Sequence, residues 1–157
     1  MEIESLAGAL EREHQEIDAG IGAFTAGPPA GGRDRARLAR AVHALRRHIY
    51  LEEEFLFPLL REAEPGLMAP IFVMLREHAQ LWRTLDSLER ELDEGTGDGL
   101  RVCRQLAVQL LHHNQKEEKI LYPQADQALP EAAAAKLREF LAAGELPAGW
   151  VCLRARG

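Results

Sequence analysis

The chain has few cysteines, no excess of basic residues and no long apolar run. Its 157 residues include two cysteines, Cys103 and Cys152, too far apart in sequence for paired metal ligation and too few for the disulfide framework of a small secreted protein. A reducing, cytoplasmic setting is the expectation. The 25 acidic residues outnumber the 19 basic ones, for a formal net charge of −6. This excludes the basic face that nucleic-acid binding requires. No apolar stretch approaches the roughly 20 residues of a membrane-spanning helix. The opening residues Met1-Glu2-Ile3-Glu4-Ser5 show no basic segment leading into an apolar one, so no signal peptide is expected. The period-two alternation of strands is missing as well. The length suits a single domain over residues 1–157, large enough to bury a core without staples.

What the chain does contain is an internal repeat. His48-Ile-Tyr-Leu-Glu52-Glu53-Glu54-Phe55-Leu56-Phe57-Pro58 is echoed by His113-Asn-Gln-Lys-Glu117-Glu118-Lys119-Ile120-Leu121-Tyr122-Pro123. Both copies read His-x-x-x-Glu-Glu-x-apolar-Leu-aromatic-Pro. On a helix, His and Glu four apart share a face, about 6 Å apart along the axis. The repeat extends upstream, where Arg12-Glu13-His14 is echoed by Arg76-Glu77-His78. Each half therefore supplies one His and then His-x-x-x-Glu, the pattern of a duplicated helical hairpin. Imidazole with carboxylate suits iron, manganese or zinc, and two such pairs facing each other suit a two-metal site.

Helical periodicity runs through the chain. Ile3, Leu10, Ile17 and Phe24 recur every seven residues, with His14 on the same stripe. Leu38, Ala41, Leu45, His48, Glu52, Phe55 and Leu59 form the second stripe. Leu67, Ile71, Met74, His78, Leu81, Leu85, Leu88 and Leu92 form the third, and Cys103, Leu106, Leu110, His113, Glu117 and Ile120 the fourth. Breakers at Gly27–Gly32, Glu64-Pro65-Gly66 and Gly95–Gly99 divide helices expected at about 3–25, 33–62, 67–94 and 99–128. Pro58 and Pro123 are expected to kink or end the second and fourth helices. Pro130 in the first turn opens a short fifth helix, about 131–143, and the tail with Trp150 and Val151 folds back. Residues at one height in an antiparallel pair are equidistant from the loop between them. The midpoint of His14 and His48 falls at Gly31, that of His48 and His78 at Ala63, and that of His78 and His113 at about Gly95. All three lie at loops, so the four histidines sit at one level. The expected architecture is all-α, an antiparallel up-down-up-down four-helix bundle with a short fifth C-terminal helix.

A lone histidine on an apolar face is usually a core residue with one hydrogen bond. Four at one level, with two glutamates a turn away, are not explained that way, because buried unpaired carboxylates cost several kcal/mol or must protonate. A metal ion removes that penalty. The candidate metal ligands are therefore His14, His48, Glu52, His78, His113 and Glu117. His112 competes with His113, but only His113 continues the stripe and the repeat. His43 belongs to an outer face. Glu53, Glu54 and Glu118 are rotated off the stripe into a solvated or supporting role. Met74 reads as core filler. Leu56-Phe57-Pro58 and Leu121-Tyr122-Pro123 read as helix-end packing, with a Tyr122 hydroxyl near the site as the alternative. Trp82 and Trp150 read as packing, with an interface as the alternative.

These motifs resemble those of the hemerythrin-like family, the HHE cation-binding domain, and the likeness covers nearly the whole chain. It implies a non-heme di-iron centre: His14 and His48 on one iron, His78 and His113 on the other, with Glu52 and Glu117 bridging and an oxo or hydroxo group completing the core. The oxygen-carrying members have a further histidine where Met74 stands here, and their second bridging carboxylate follows its His by five residues rather than four. The four-His, two-Glu pattern is more similar to the di-iron domain of repair-of-iron-centres proteins. The resemblance implies reaction with a small diatomic ligand or peroxide (O2, peroxide or NO) in stress defence or iron-centre repair. The competing expectation is a protein that binds or senses O2 or iron reversibly. Iron rests on the resemblance alone; His and carboxylate would also hold zinc or manganese.

Overall fold

The computed structural model describes residues 3–27, 34–95 and 97–157. Helix α1 spans Leu6–Thr25, and α2, Arg35–Leu51, runs through one π-helical turn, Glu52–Leu56, into α3, Phe57–Ala63. A 3-10 turn over Pro65–Leu67 leads to α4, Met68–Glu94. The last rod repeats the design of the second: α5, Gly99–Lys116, a π turn at Glu117–Leu121, then α6, Tyr122–Ala128. Helix α7 covers Glu131–Ala143. No strand occurs among the described residues.

Helix α1 packs on α2, α4 on α5, and α1 also on α5, closing four alternating rods into a bundle. Gly20 permits the tight crossing of α1 and α2: a Cβ there would come within 2.7 Å of the Ala41 Cβ. Gly95 ends α4 with φ of 66°, left-handed backbone that glycine adopts without penalty. The buried core forms two clusters. One holds Ile17, Ile21, Leu45, Leu85 and Leu106; the other holds Leu10, Leu56, Leu60, Ile71 and Leu121. Met74 lies in the second cluster, as core filler should.

The helix limits differ from expectation in instructive places. The first helix starts at Leu6 rather than residue 3, because the Ser5 side chain accepts a hydrogen bond from the Gly8 N–H and caps it. Ile3, expected on the buried stripe, is 76% exposed. Asp34 caps α2 in the same way, accepting from the Arg37 N–H at 2.9 Å. The expected start at residue 33 and the loop over residues 28–33 lie outside the described residues, as does Thr96 in the third loop. Pro130 stands at the cap of α7, one position before its first turn.

Pro58 and Pro123 do not end their helices, which continue to Ala63 and Ala128. The disturbance falls just before them, in the π turns. There the N–H groups of Phe57 and Tyr122 donate to the carbonyls of Glu52 and Glu117, five residues back. Each proline then occupies the first turn of the following α segment, where its missing N–H leaves no bond unmade. A π turn inserts one residue into the helical count. The buried stripe therefore shifts by one beyond each glutamate. Leu56 and Leu60 are buried where Phe55 and Leu59 were expected, and Leu121 replaces Ile120. Phe55 and Ile120 are turned outward, 43% and 45% exposed.

The chain after α7 folds back as expected. Trp150 packs edge-on against Tyr50 and Trp82, at ring-centroid separations of 5.1 and 5.4 Å, and Cys152 is buried in the core. Both tryptophans thus serve packing. No helix among the described residues is long and apolar enough to cross a membrane.

Candidate metal centre

Between the two apolar clusters lie six buried polar residues, one or two from each rod: His14 on α1, His48 and Glu52 on the second, His78 on α4, His113 and Glu117 on the last. These are the six singled out by the repeat. The Nε2 atoms of His14 and His48 are 3.1 Å apart. His78 Nε2 is 3.1 Å from Glu52 Oε1, while Glu52 Oε2 lies 3.4 Å from His48 Nε2, so this carboxylate addresses both histidine pairs. Glu117 Oε1 sits 3.3 Å from His14 Nε2 and 3.2 Å from His113 Nε2, and its Oε2 lies 3.9 Å from His78 Nε2. Two sets of these atoms are close enough to hold a metal ion: Glu52, His78, His113 and Glu117, and His14, His48 and Glu117.

Each histidine turns its Nδ1 outward to a second carboxylate. His14 Nδ1 donates to Glu118 at 2.9 Å, His48 to Glu13 at 2.9 Å, His78 to Glu53 at 2.7 Å and His113 to Glu77 at 2.9 Å. A carboxylate can only accept, so every Nδ1 carries a proton, and the Nε2 lone pairs are left pointing inward. This is the arrangement that orients metal-bound imidazoles. The outer carboxylates are themselves held. Glu13 accepts from Arg47 at 2.7 Å, Glu77 pairs with Lys116, and Glu53 accepts from the backbone N–H of Leu153 at 2.8 Å.

The two halves correspond residue by residue, with Glu13, His14, His48, Glu52 and Glu53 matching Glu77, His78, His113, Glu117 and Glu118. The glutamate before each first histidine holds the second histidine of its own half. The glutamate after each inner carboxylate holds the first histidine of the other half.

The cluster is rich in acceptors and poor in protons. Six carboxylates, Glu13, Glu52, Glu53, Glu77, Glu117 and Glu118, face two cations, Arg47 and Lys116. Four negative charges remain, the charge of two divalent ions. Glu117 Oε2 is buried with no hydrogen-bond partner. The Tyr122 hydroxyl, also buried, donates to Glu52 Oε2 at 2.8 Å or Glu117 Oε1 at 3.2 Å. Without a metal, protons must fill the deficit. Burial pushes His48 down, but Glu52 and Glu13 more than reverse this and raise it to about 10. Burial likewise opposes protonation of His78, and Glu117, Glu52 and Glu53 lift it well above the usual imidazole range. Burial would raise Glu117, but His113, His14 and His78 hold it well below the carboxylate range. The donors of this buried cluster therefore suit bound metal cations, which would meet the same demand for positive charge.

His112 and His43 are exposed, away from the cluster. Glu54 is exposed too and accepts from Trp150 Nε1 at 2.9 Å. Glu53 and Glu118 take the supporting role, and Tyr122 points into the site. The roles of Glu13 and Glu77 were missed in the sequence. Their signal was the repeated Arg-Glu-His, which marked both positions without saying which histidine each would reach.

A comparison with protein families matches residues 5–125 to the hemerythrin HHE cation binding domain. No curated protein and no solved structure matches the chain.

Proposed function

The chain belongs to the hemerythrin HHE cation-binding domain family, and from that premise we propose that His14, His48, Glu52, His78, His113 and Glu117 hold two iron ions that react with O2, peroxide or NO. The role that follows is defence against oxidative or nitrosative stress, or repair of iron centres. The observation that carries this reading is the span of Glu52: its two carboxylate oxygens face two different histidine pairs. A carboxylate so placed serves two metals and is poorly used by one.

A pair of iron ions would supply the electrons for reducing a small ligand. The chain's own residues prepare the place. The four outer glutamates fix the imidazole tautomers and make the inner nitrogens better donors. The two apolar clusters on either side exclude bulk water. In the metal-free chain the Tyr122 hydroxyl holds one proton beside both inner carboxylates. Met74, buried in the second apolar cluster, stands in the sequence where the oxygen-carrying members have a further histidine, and its thioether is a poor donor to ferric iron.

The test is metal content, followed by the optical spectrum of the anaerobically reduced protein before and after addition of O2. Close to two irons per chain and rapid, irreversible oxidation support the reactive centre. Bands that come and go reversibly with O2 would replace it with a binding or sensing protein. A single zinc, or no metal, would overturn the di-iron assignment.

A further inference from the structure

One of the differences between the two halves sets unlike aromatic rings against the proposed metal ligands. Position 57 is phenylalanine and its counterpart, position 122, is tyrosine. Both are buried. Phe57 stacks on the His78 ring, at a centroid separation of 5.6 Å and an interplanar angle of 15°. Tyr122 places its hydroxyl oxygen 2.9 Å from His14 Nε2 and 2.9 Å from His48 Nε2.

Those two nitrogens are themselves 3.1 Å apart, so the three atoms form a nearly equilateral triangle. Donors at right angles around a metal, with bonds of about 2.1 Å, stand about 3 Å from one another. The hydroxyl therefore occupies the place of a third donor on the His14 and His48 metal. Its hydrogen-bond partners His14, His48, Glu52 and Glu117 all belong to the proposed ligand set. With Glu52 Oε2 and Glu117 Oε1, that position has five donor atoms within reach. The His78 and His113 position has two imidazoles and the same two carboxylates, and Phe57 has no atom to add.

We infer that, when metal is bound, Tyr122 releases its hydroxyl proton to solvent and gives its phenolate oxygen to the metal held by His14 and His48, so that an outside ligand binds at the His78 and His113 metal. This rests on the two-metal reading above and makes the two ions unequal.

The experiment uses the full-length iron-loaded protein, with Tyr122→Phe and Tyr50→Phe beside it. Tyr50 is the other tyrosine, packed in an aromatic cluster with Phe55, Phe140 and Trp150. Iron per chain, the resonance Raman spectrum under visible excitation, and the equivalents of azide bound are measured on each. The expected result is two irons in all three proteins, with tyrosine ring vibrations in the wild type and Tyr50→Phe but not in Tyr122→Phe. One azide should bind per wild-type chain and two per Tyr122→Phe chain. Two irons without tyrosine vibrations in the wild type, or vibrations that survive in Tyr122→Phe, would overturn the inference and leave the di-iron reading intact. Fewer than two irons in the wild type would remove both. If Tyr122→Phe fails to hold iron, ring-deuterated tyrosine in the wild type and in Tyr50→Phe decides the matter: a vibration that shifts in both belongs to Tyr122, and one absent from both refutes the assignment.

Discussion

The backbone N–H of Leu153 donates to Glu53 Oε1 at 2.8 Å, and the other oxygen of the same carboxylate takes the Nδ1 proton of His78 at 2.7 Å. The C-terminal segment thus reaches a proposed metal ligand through one side chain. Among the described residues, no backbone N–H straps Glu118, its counterpart in the other half, in this way. The Glu53 side chain is 4% exposed, and that of its counterpart Glu118 38%.

Leu153→Pro removes this one donor. Residue 153 opens a 3-10 turn, where proline's backbone angle is compatible and its missing N–H is otherwise unused. We expect metal affinity at the His78 position to fall about tenfold, the lower end of the range for lost supporting bonds, with circular dichroism unchanged. Competitive metal titration reads this, and equal loss at both positions would refute the selective strap.

Glu13→Gln and Glu77→Gln each replace a carboxylate that fixes a histidine by an amide that can present the wrong group. Affinity for metal should drop about 10- to 100-fold in each, with the inner ligands untouched. Unchanged affinity in both variants would show that the outer carboxylates merely neutralise Arg47 and Lys116.

The metal-free protein should lose stability as pH rises. His48 in the folded chain is raised to about 10, and His78 is raised as well. Their contribution is complete below the unfolded value of about 6.5 and is lost as pH climbs toward 10. Glu117 and Glu13 are lowered from 4.5, so their contribution is present above that pH and lost in acid. Stability of the chelated protein should therefore peak in mildly acidic solution. Metals replace these protons, so metal affinity should rise over the range in which the free protein weakens. Melting temperatures of chelated and loaded protein at about pH 6 and pH 9 check both halves. A chelated protein more stable at the higher pH would contradict the assignment of protons.

The π turns carry a stability prediction. Leu121→Ala should cost about 2–5 kcal/mol, as for a fully buried leucine, while Ile120→Ala should stay within about 0.5 kcal/mol. Uninterrupted α-helix would reverse the order. Urea denaturation of the two variants separates the cases.

Much of the fold and of the candidate site is legible in the sequence. The histidine spacing placed His14, His48, His78 and His113 at one level, and the structure brings them together with Glu52 and Glu117. Helical periodicity also selected His113 over His112. What misled was treating each rod as continuous α-helix. A continuous α-helical count puts Phe55, Leu59 and Ile120 in the core, and that count holds only up to the π turns at Glu52 and Glu117.

The chain by itself determined the four long rods and the short C-terminal helix, the placing of the six inner groups and their duplication, because these follow from spacing along the chain and from the cost of burying polar groups. Only the tertiary structure decided what lies across a gap between helices. Glu13 reaches His48, Glu53 reaches His78, and Leu153 reaches Glu53 from 100 residues away. Tyr122 meets both His14 and His48 while Phe57 stacks on His78. Such contacts depend on helix rotation. The two π turns set that rotation beyond each inner glutamate, through hydrogen bonds five residues long that the apolar pattern does not record.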